Sequence, residues 1–393
     1  MTIALRPVDV PEPVVSLVAT LEAAGHEAWC VGGALRDAVL ELAHADFDVA
    51  TSATPDQVRR LFRRTVPVGE AHGTIGVLDD AGTLHEVTTF RKDVRTDGRH
   101  AEVAFGVSLD DDLARRDFTI NALAYHPLRQ VWRDPFGGAR DIGDRQLRAV
   151  GDAASRFRED YLRILRGLRF AARFRFTITP DTWNALTASV AGLTGLSSER
   201  IRDEWFKGLS TAAAVSELVS LWLRSGAAAI ILPELEPDRG SEPALSSMPR
   251  DPVLLTTVLV DASAAVLRRL RASNAEVARA AAISAGPPAP AGASDRDVRH
   301  WLSAVGRAAD DLTQRHLLVT GRDAPWTDAV RRIRTAGDPL LRENLAVRGG
   351  DLLELGLRGP AVGQMLDQLL TQVLDDPSLN ERDTLLRLAR TPQ

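Results

Sequence analysis

The sequence predicts an α+β protein, with a mixed α/β head over residues 1–150 followed by an all-helical remainder. Three observations carry this reading. Short β-like runs punctuated by glycine and aspartate occur before about residue 150. Helical periodicity dominates from Arg156 to the end, with breaks at 177–181, 194–198, 236–252 and 284–294. The chain has 393 residues, 45% hydrophobic and 26% charged, an ordinary soluble composition too long for one core, so two to four domains are expected.

In the head, residues 14–24 read as an amphipathic helix ending at Gly25. Ala28–Val31 reads as a strand, followed by Gly32-Gly33 and a helix through about Leu42. Asp46–Ala50 is expected as a strand. Thr54-Pro55 has the form of an N-cap with proline at the first helical position, opening a helix to about Arg64. Residues 73–79 and 84–90 alternate as strands around an Asp80-Ala81-Gly82 turn. The polar stretch 91–101 (RKDVRTDGRHA) is expected to be a mobile loop, and 118–125 and 130–133 to contain further strands.

Formal charge is −5, which excludes a uniformly basic nucleic-acid coat but leaves room for a local basic groove. Cys30 is the only cysteine, so no disulfide framework and no cysteine-based zinc site is expected. No apolar run reaches the ~18 residues of a membrane span, and the N-terminus lacks a signal-peptide layout. A cytoplasmic protein is expected. Of 48 basic residues only Lys92 and Lys207 are lysines; arginine is the better partner for phosphate, although a GC-rich genome gives the same bias.

Asp46 and Asp48 stand two apart on an expected strand and so project to one face. Two carboxylates on one face repel unless a cation lies between them, the arrangement that holds Mg²⁺ against phosphates. A lone D-x-D pair is more often simply solvated; a third acid changes the balance, and Glu86 on a later strand is a candidate. The turn Val31-Gly32-Gly33-Ala34-Leu35-Arg36-Asp37 joins strand to helix about a dozen residues earlier. Paired glycines admit a phosphate to the backbone, Arg36 can donate a forked pair, and Asp37 can brace it. In RRDFTINALAY (115–125), Arg116 is either a phosphate or ribose contact or half of a structural Arg–Asp pair with Asp117; Asn121 belongs to the same candidate set.

Along 159–173 the residues Tyr161, Ile164, Leu165, Leu168 and Ala172 share one helical arc, and Arg163, Arg166, Arg169 and Arg173 the other. Four arginines with few local acids suggest an anionic partner. Asp160, about 60° from Arg163 on a continuous helix, offers an acceptor beside a donor. Cytosine and adenine present the complementary edge, whereas uracil and guanine present the reverse.

Taken in order, VGGALRD, DFDVAT, HEVTTFR, RRDFTINALAY and REDYLRILRGLRFAARF resemble the class II tRNA nucleotidyltransferase family, which includes CCA-adding enzymes and bacterial poly(A) polymerases. The match covers roughly 28–210; ERIRDEWFKGL (199–209) resembles the family's late neck motif, and GGDLLELGLRGPAVGQMLDQLL its tail. The resemblance implies a polymerase-β-type nucleotidyltransferase head with a mixed or antiparallel sheet (1–150), then a helical neck (151–210) and a helical body and tail that bind tRNA (211–393). It implies Mg²⁺ at Asp46 and Asp48, contacts to CTP and ATP from Gly33, Arg36 and Arg116, and a nucleotide template of Asp160, Arg163, Arg166 and Arg169. The RNA 3′ end would be the acceptor. The 91–101 loop is about two residues shorter than a full CCA adder of the family would have, so CC-adding, A-adding and poly(A) enzymes stay open. So does an RNA-binding protein that has kept only the scaffold. No HD-type metal motif is present in the tail.

Overall fold

The computed structural model describes residues 5–43, 47–69, 73–96, 101–236, 245 and 250–390. The chain divides into two compact units, Met1–Pro233 and Glu234–Gln393.

The first unit is built on a seven-stranded sheet. Its strands are β1 (Ala28–Val31), β2 (Asp48–Thr51), β3 (Thr65–Gly69), β4 (Thr74–Leu78), β5 (Leu84–Thr89), β8 (Ala124–His126) and β9 (Val131–Arg133), in the order β3-β4-β5-β2-β1-β8-β9. Only the β2–β5 pairing is parallel, so the sheet is mixed, as expected. Strands β6 (Arg91–Thr96) and β7 (Ala101–Phe105) pair as a separate antiparallel ribbon. This corrects the expectation of a loop for residues 91–96 and 101, while residues 97–100 lie outside the described residues; the two strands pair with each other apart from the main sheet, and such a ribbon needs no continuous apolar face.

One face of the sheet is closed by α1 (Glu12–Ala23) and α3 (Pro55–Leu61). Val49, Val87, Ile75 and Val77 lie buried on it. The α3 start is fixed by a capping box, with Thr54 Oγ1 accepting from Gln57 N and Gln57 Oε1 accepting from Thr54 N at 2.8 Å. At the β1–β2 end the opposite face carries a second core of Trp29, Val31, Ala50, Phe90, Leu109 and Leu113. Leu109 and Leu113 come from α4 (Leu109–Ala114). Between these, α2 (Gly33–Val39) follows β1 directly, as the glycine turn predicts.

After α5 (Gly138–Gly143) the chain becomes helical, apart from the two-residue pair β10 (Gln146–Leu147) and β11 (Thr177–Ile178). The arginine-rich segment is two helices, α6 (Ala153–Glu159) and α7 (Leu162–Phe174). Asp160 between them is extended (φ −153°, ψ 107°), which corrects its assignment to one continuous helical arc with Arg163. There it accepts Leu162 N at 3.0 Å, a local side-chain bond that competes with helix continuation. Helix α8 (Pro180–Ser189) follows, and then α9 (Ser198–Thr211), which packs against α7.

The second unit is helical from Pro252–Leu259 to Arg382–Arg390. Asp251 and Ser273 cap helix starts, and Arg279 ties Asp251 to Asp311 at 2.7 and 2.6 Å. Leu345, Val347, Leu352, Leu369, Val373 and Leu385 form a core near its C-terminal end. No described helix is long and apolar enough to cross a membrane.

Candidate active site

The first unit contains a cavity of about 510 Å³ whose wall is made by five segments: the turn after β1 with the start of α2, the start of β2, residues 115–121, residues 160–173 and Arg200 of α9. Gly32 lies at φ 87°, ψ −146°, a backbone state that side chains exclude. A Cβ there would sit 3.2 Å from Asp48 Oδ2 and 3.4 Å from Arg116 Nη1. Gly32 therefore stands where a carboxylate and a guanidinium close on the backbone. A Cβ on Gly33 would approach Arg36 Nη2 to 3.3 Å.

Arg36 is 4% exposed, and burial pulls its pKa down against the opposing pull of Asp37. Its Nε donates to Asp37 Oδ1 at 2.8 Å and its Nη1 to Asn121 Oδ1 at 2.6 Å. Its guanidinium lies 5.2 and 4.7 Å from the ring centres of Phe170 and Phe174. Asp37 stands behind Arg36 rather than in the cavity wall and also accepts Arg173 Nη2 at 3.1 Å.

Arg116 reaches Asn121 O at 3.3 Å and Asp112 Oδ2 at 3.4 Å, while its buried Nε has no hydrogen-bond partner among the described residues. A buried, unmatched guanidinium donor fits an anionic ligand. Its structural acid is Asp112, 1% exposed, and not Asp117. Asp117 faces α7: it accepts Arg166 Nε at 2.7 Å, Asn121 Nδ2 at 2.9 Å and Phe118 N at 2.8 Å. Burial pushes this carboxyl up, but the Arg166 charge and the three donors outweigh it and hold it at about 2.

The α7 arginines are not uncompensated. Arg163 Nη1 donates to Glu159 Oε2 at 2.6 Å, Arg166 pairs with Asp117, Arg169 Nε donates to Glu204 Oε2 at 2.6 Å, and Arg173 pairs with Asp37. All four acids come from outside α7, and only Glu159, at the end of α6, is near in sequence, so the scarcity of local acids does not leave the arginines uncompensated. Asp160 and Arg163 both line the cavity, each held separately. Arg200 Nη2 donates to Asp160 Oδ2 at 2.6 Å, and Arg163 Nη2 to Arg115 O at 2.9 Å.

Arg115, Arg173 and Arg200 also line the cavity. Arg173 is legible from the helical arc; nothing local to Arg200 marks it. Glu86 does not line the cavity. The register Val49↔Val87, carried one residue back, sets Glu86 beside Asp48 on the same face, both exposed. Asp46 lies outside the described residues. Among the described residues no group of three or more His, Cys, Asp or Glu is placed to hold a metal.

Residues 28–148 match the model of the poly A polymerase head domain, and residues 175–239 that of the probable RNA and SrmB-binding site of polymerase A. A CCA-adding enzyme of Anoxybacillus flavithermus is 34% identical over 407 aligned positions that span 96% of each chain. The chain belongs to the tRNA nucleotidyltransferase and poly(A) polymerase family. A CCA-adding enzyme of Levilactobacillus brevis is 47% identical over 204 residues, 51% of each chain. The crystal structure of the Bacillus stearothermophilus CCA-adding enzyme in complex with CTP superposes with a TM-score of 0.83 at 32% identity, covering 96% of both chains. The fold is shared more distantly with a Thermotoga maritima CCA-adding enzyme complexed with tRNA (TM-score 0.65, 18% identity). The cavity brings together the Asp48 carboxylate, the Gly32–Gly33 turn and several guanidinium groups.

Proposed function

We propose that this protein adds CCA to the 3′ end of tRNA, using CTP and ATP and releasing pyrophosphate. The observation that carries the reading is that Asp48, the Gly32 turn and the arginines of α7 share one cavity in a chain whose likeness to CCA-adding enzymes runs over its whole length. Residues 1–150 act as the catalytic head, 151–210 as the neck that reads the nucleotide, and 211–393 as the tRNA-binding body and tail, working in the cytoplasm.

Asp48 is an exposed hard-oxygen donor at the cavity edge, with Glu86 beside it, so the donor set fits Mg²⁺. Asp46 and Asp48 would hold the metal, with Glu86 as the third acid, and the ion they hold would supply Lewis-acid activation of the RNA 3′-hydroxyl and charge stabilisation for the departing pyrophosphate. The backbone at Gly32 and Gly33 and the donors of Arg36 and Arg116 grip the triphosphate, which orients the α-phosphorus for in-line attack. Asn121 and Asp37 keep Arg36 in place. Asp117 fixes Arg166 and Glu204 fixes Arg169, so the nucleotide meets a preset wall. Asp160 accepts the amino group of cytosine or adenine, and Arg163 donates to the neighbouring ring nitrogen.

Three tRNA transcripts test the reading: one ending before CCA, one after the first C and one after the second. Each receives CTP, ATP or both with Mg²⁺. Addition of C, C and a single A is expected. A stop after CC, addition of A only, or a long A tail on unrelated RNA would instead assign a partial enzyme or a poly(A) polymerase.

A further inference from the structure

The rung of the sheet that carries the carboxylates continues away from the cavity. Asp48 stands beside Glu86, Glu86 pairs with Gly76 on β4, and Gly76 pairs with Val66 on β3. All four therefore face the same side of the sheet. Over Gly76 three aliphatic side chains converge: a Cβ there would sit 2.6 Å from Leu84 Cδ1, 2.8 Å from Val68 Cγ2 and 2.9 Å from Val66 Cγ2. The missing side chain lets them close into an apolar floor. Yet Leu84 is 44% and Val68 45% exposed. Large aliphatics gathered at one exposed spot beside an active-site carboxylate mark a binding surface more than a core.

We propose that this floor receives the nucleoside at the 3′ end of the RNA being extended, an inference that rests on the reading given above. The two sides of Asp48 differ chemically. On one side lie the glycine turn and the arginines, suited to a triphosphate. On the other lie Val66, Val68 and Leu84 around Gly76, suited to the flat apolar face of a base and its ribose. In-line displacement requires the attacking 3′-oxygen to enter opposite the departing pyrophosphate, hence from the side away from the phosphate-binding arginines. The β5–β4–β3 floor is the surface that lies there, continuous with the carboxylates across the Asp48–Glu86–Gly76–Val66 rung.

The test uses the full-length chain and the variants Leu84→Asn and Val68→Asn, both at exposed positions. Steady-state incorporation is measured with a tRNA ending after the first C, and with the same tRNA carrying an abasic 3′-terminal nucleotide. The KM for tRNA is expected to rise about tenfold in the variants, with the KM for CTP unchanged. With the abasic end, variant and wild type converge, which a merely structural role would not produce. A tRNA KM that stays at the wild-type value in both variants, or that rises equally with the abasic primer, overturns the proposal. Wild-type protein that extends no tRNA at all overturns the parent reading and this one with it. Wild-type protein that extends tRNA beside variants of unaltered tRNA KM overturns this one alone.

Discussion

Arg169 and Glu204 form an ion pair at 2.6 Å in which the two side chains are only 9% and 4% exposed, joining α7 to α9. The pair holds one of the cavity's arginines to the helix packed behind it. Removing one partner leaves the other charge buried and unmatched, so Glu204→Gln should destabilise the protein by about 3–5 kcal/mol. Urea unfolding measures this. The double variant Glu204→Leu, Arg169→Leu should recover much of the loss while lowering nucleotide affinity.

Asp48→Ala should lower incorporation by at least about 10²-fold while leaving tRNA binding largely intact. Primer extension and filter binding on the same preparation separate the two effects. Incorporation near the wild-type level would remove Asp48 from the metal site.

Asp160→Ala should relax selection against UTP and GTP by about tenfold or more, the scale of one bidentate base contact. Competition between CTP and UTP reads it. Arg200 should act on the same property through its 2.6 Å bond to Asp160. Arg200→Ala is therefore expected to blur selection less than Asp160→Ala, and unchanged selectivity in Asp160→Ala would sink the template role.

Asp117 is held at about 2 in the folded chain, against ~3.9 for an unfolded aspartate. Its stabilising contribution is complete above pH ~4 and is lost as pH falls from there toward 2, an effect of roughly 2–3 kcal/mol. Thermal unfolding between pH 5 and 2.5 should show a steeper loss in wild type than in Asp117→Asn.

Gly32→Ala places a side chain at φ 87° and within 3.2 Å of Asp48 Oδ2. Stability should fall by about 1–3 kcal/mol. The KM for CTP should rise as the new methyl group occupies the approach to the backbone.

What was legible in the sequence was local. Ala28–Val31 coincides with β1, Thr54-Pro55 caps α3, and the 73–79 and 84–90 alternation gives β4 and β5. Each follows from period and turn chemistry within a few residues. The strand over Thr65–Gly69 carries no clear local signal, because its half-buried edge lacks clean alternation. The strands Arg91–Thr96 and Ala101–Phe105 give no apolar signal because they pair apart from the main sheet. The break at Asp160 was hidden by an apolar period that continues through it. The charge balance of α7 depends on Asp37, Asp117 and Glu204, which lie 136, 49 and 35 residues from their arginines. No local pattern could have supplied those partners. Most polar residues of the cavity wall, Arg200 apart, stand in motifs that the sequence marks, while the bonds that hold the wall join residues far apart in the chain.

The central strand β1 is paired on one side by β2 and on the other by β8, Cys30 standing opposite Val49 and Tyr125. On the ribosome these partners do not emerge together. At ~5–20 residues per second, β1 waits about 5–20 s after leaving the exit tunnel before β8 is available. Through that interval one edge of a buried strand stays open, and the α7 wall of the cavity has not yet been made. The nascent chain must therefore keep that edge from pairing with other strands well before it can bind its first nucleotide.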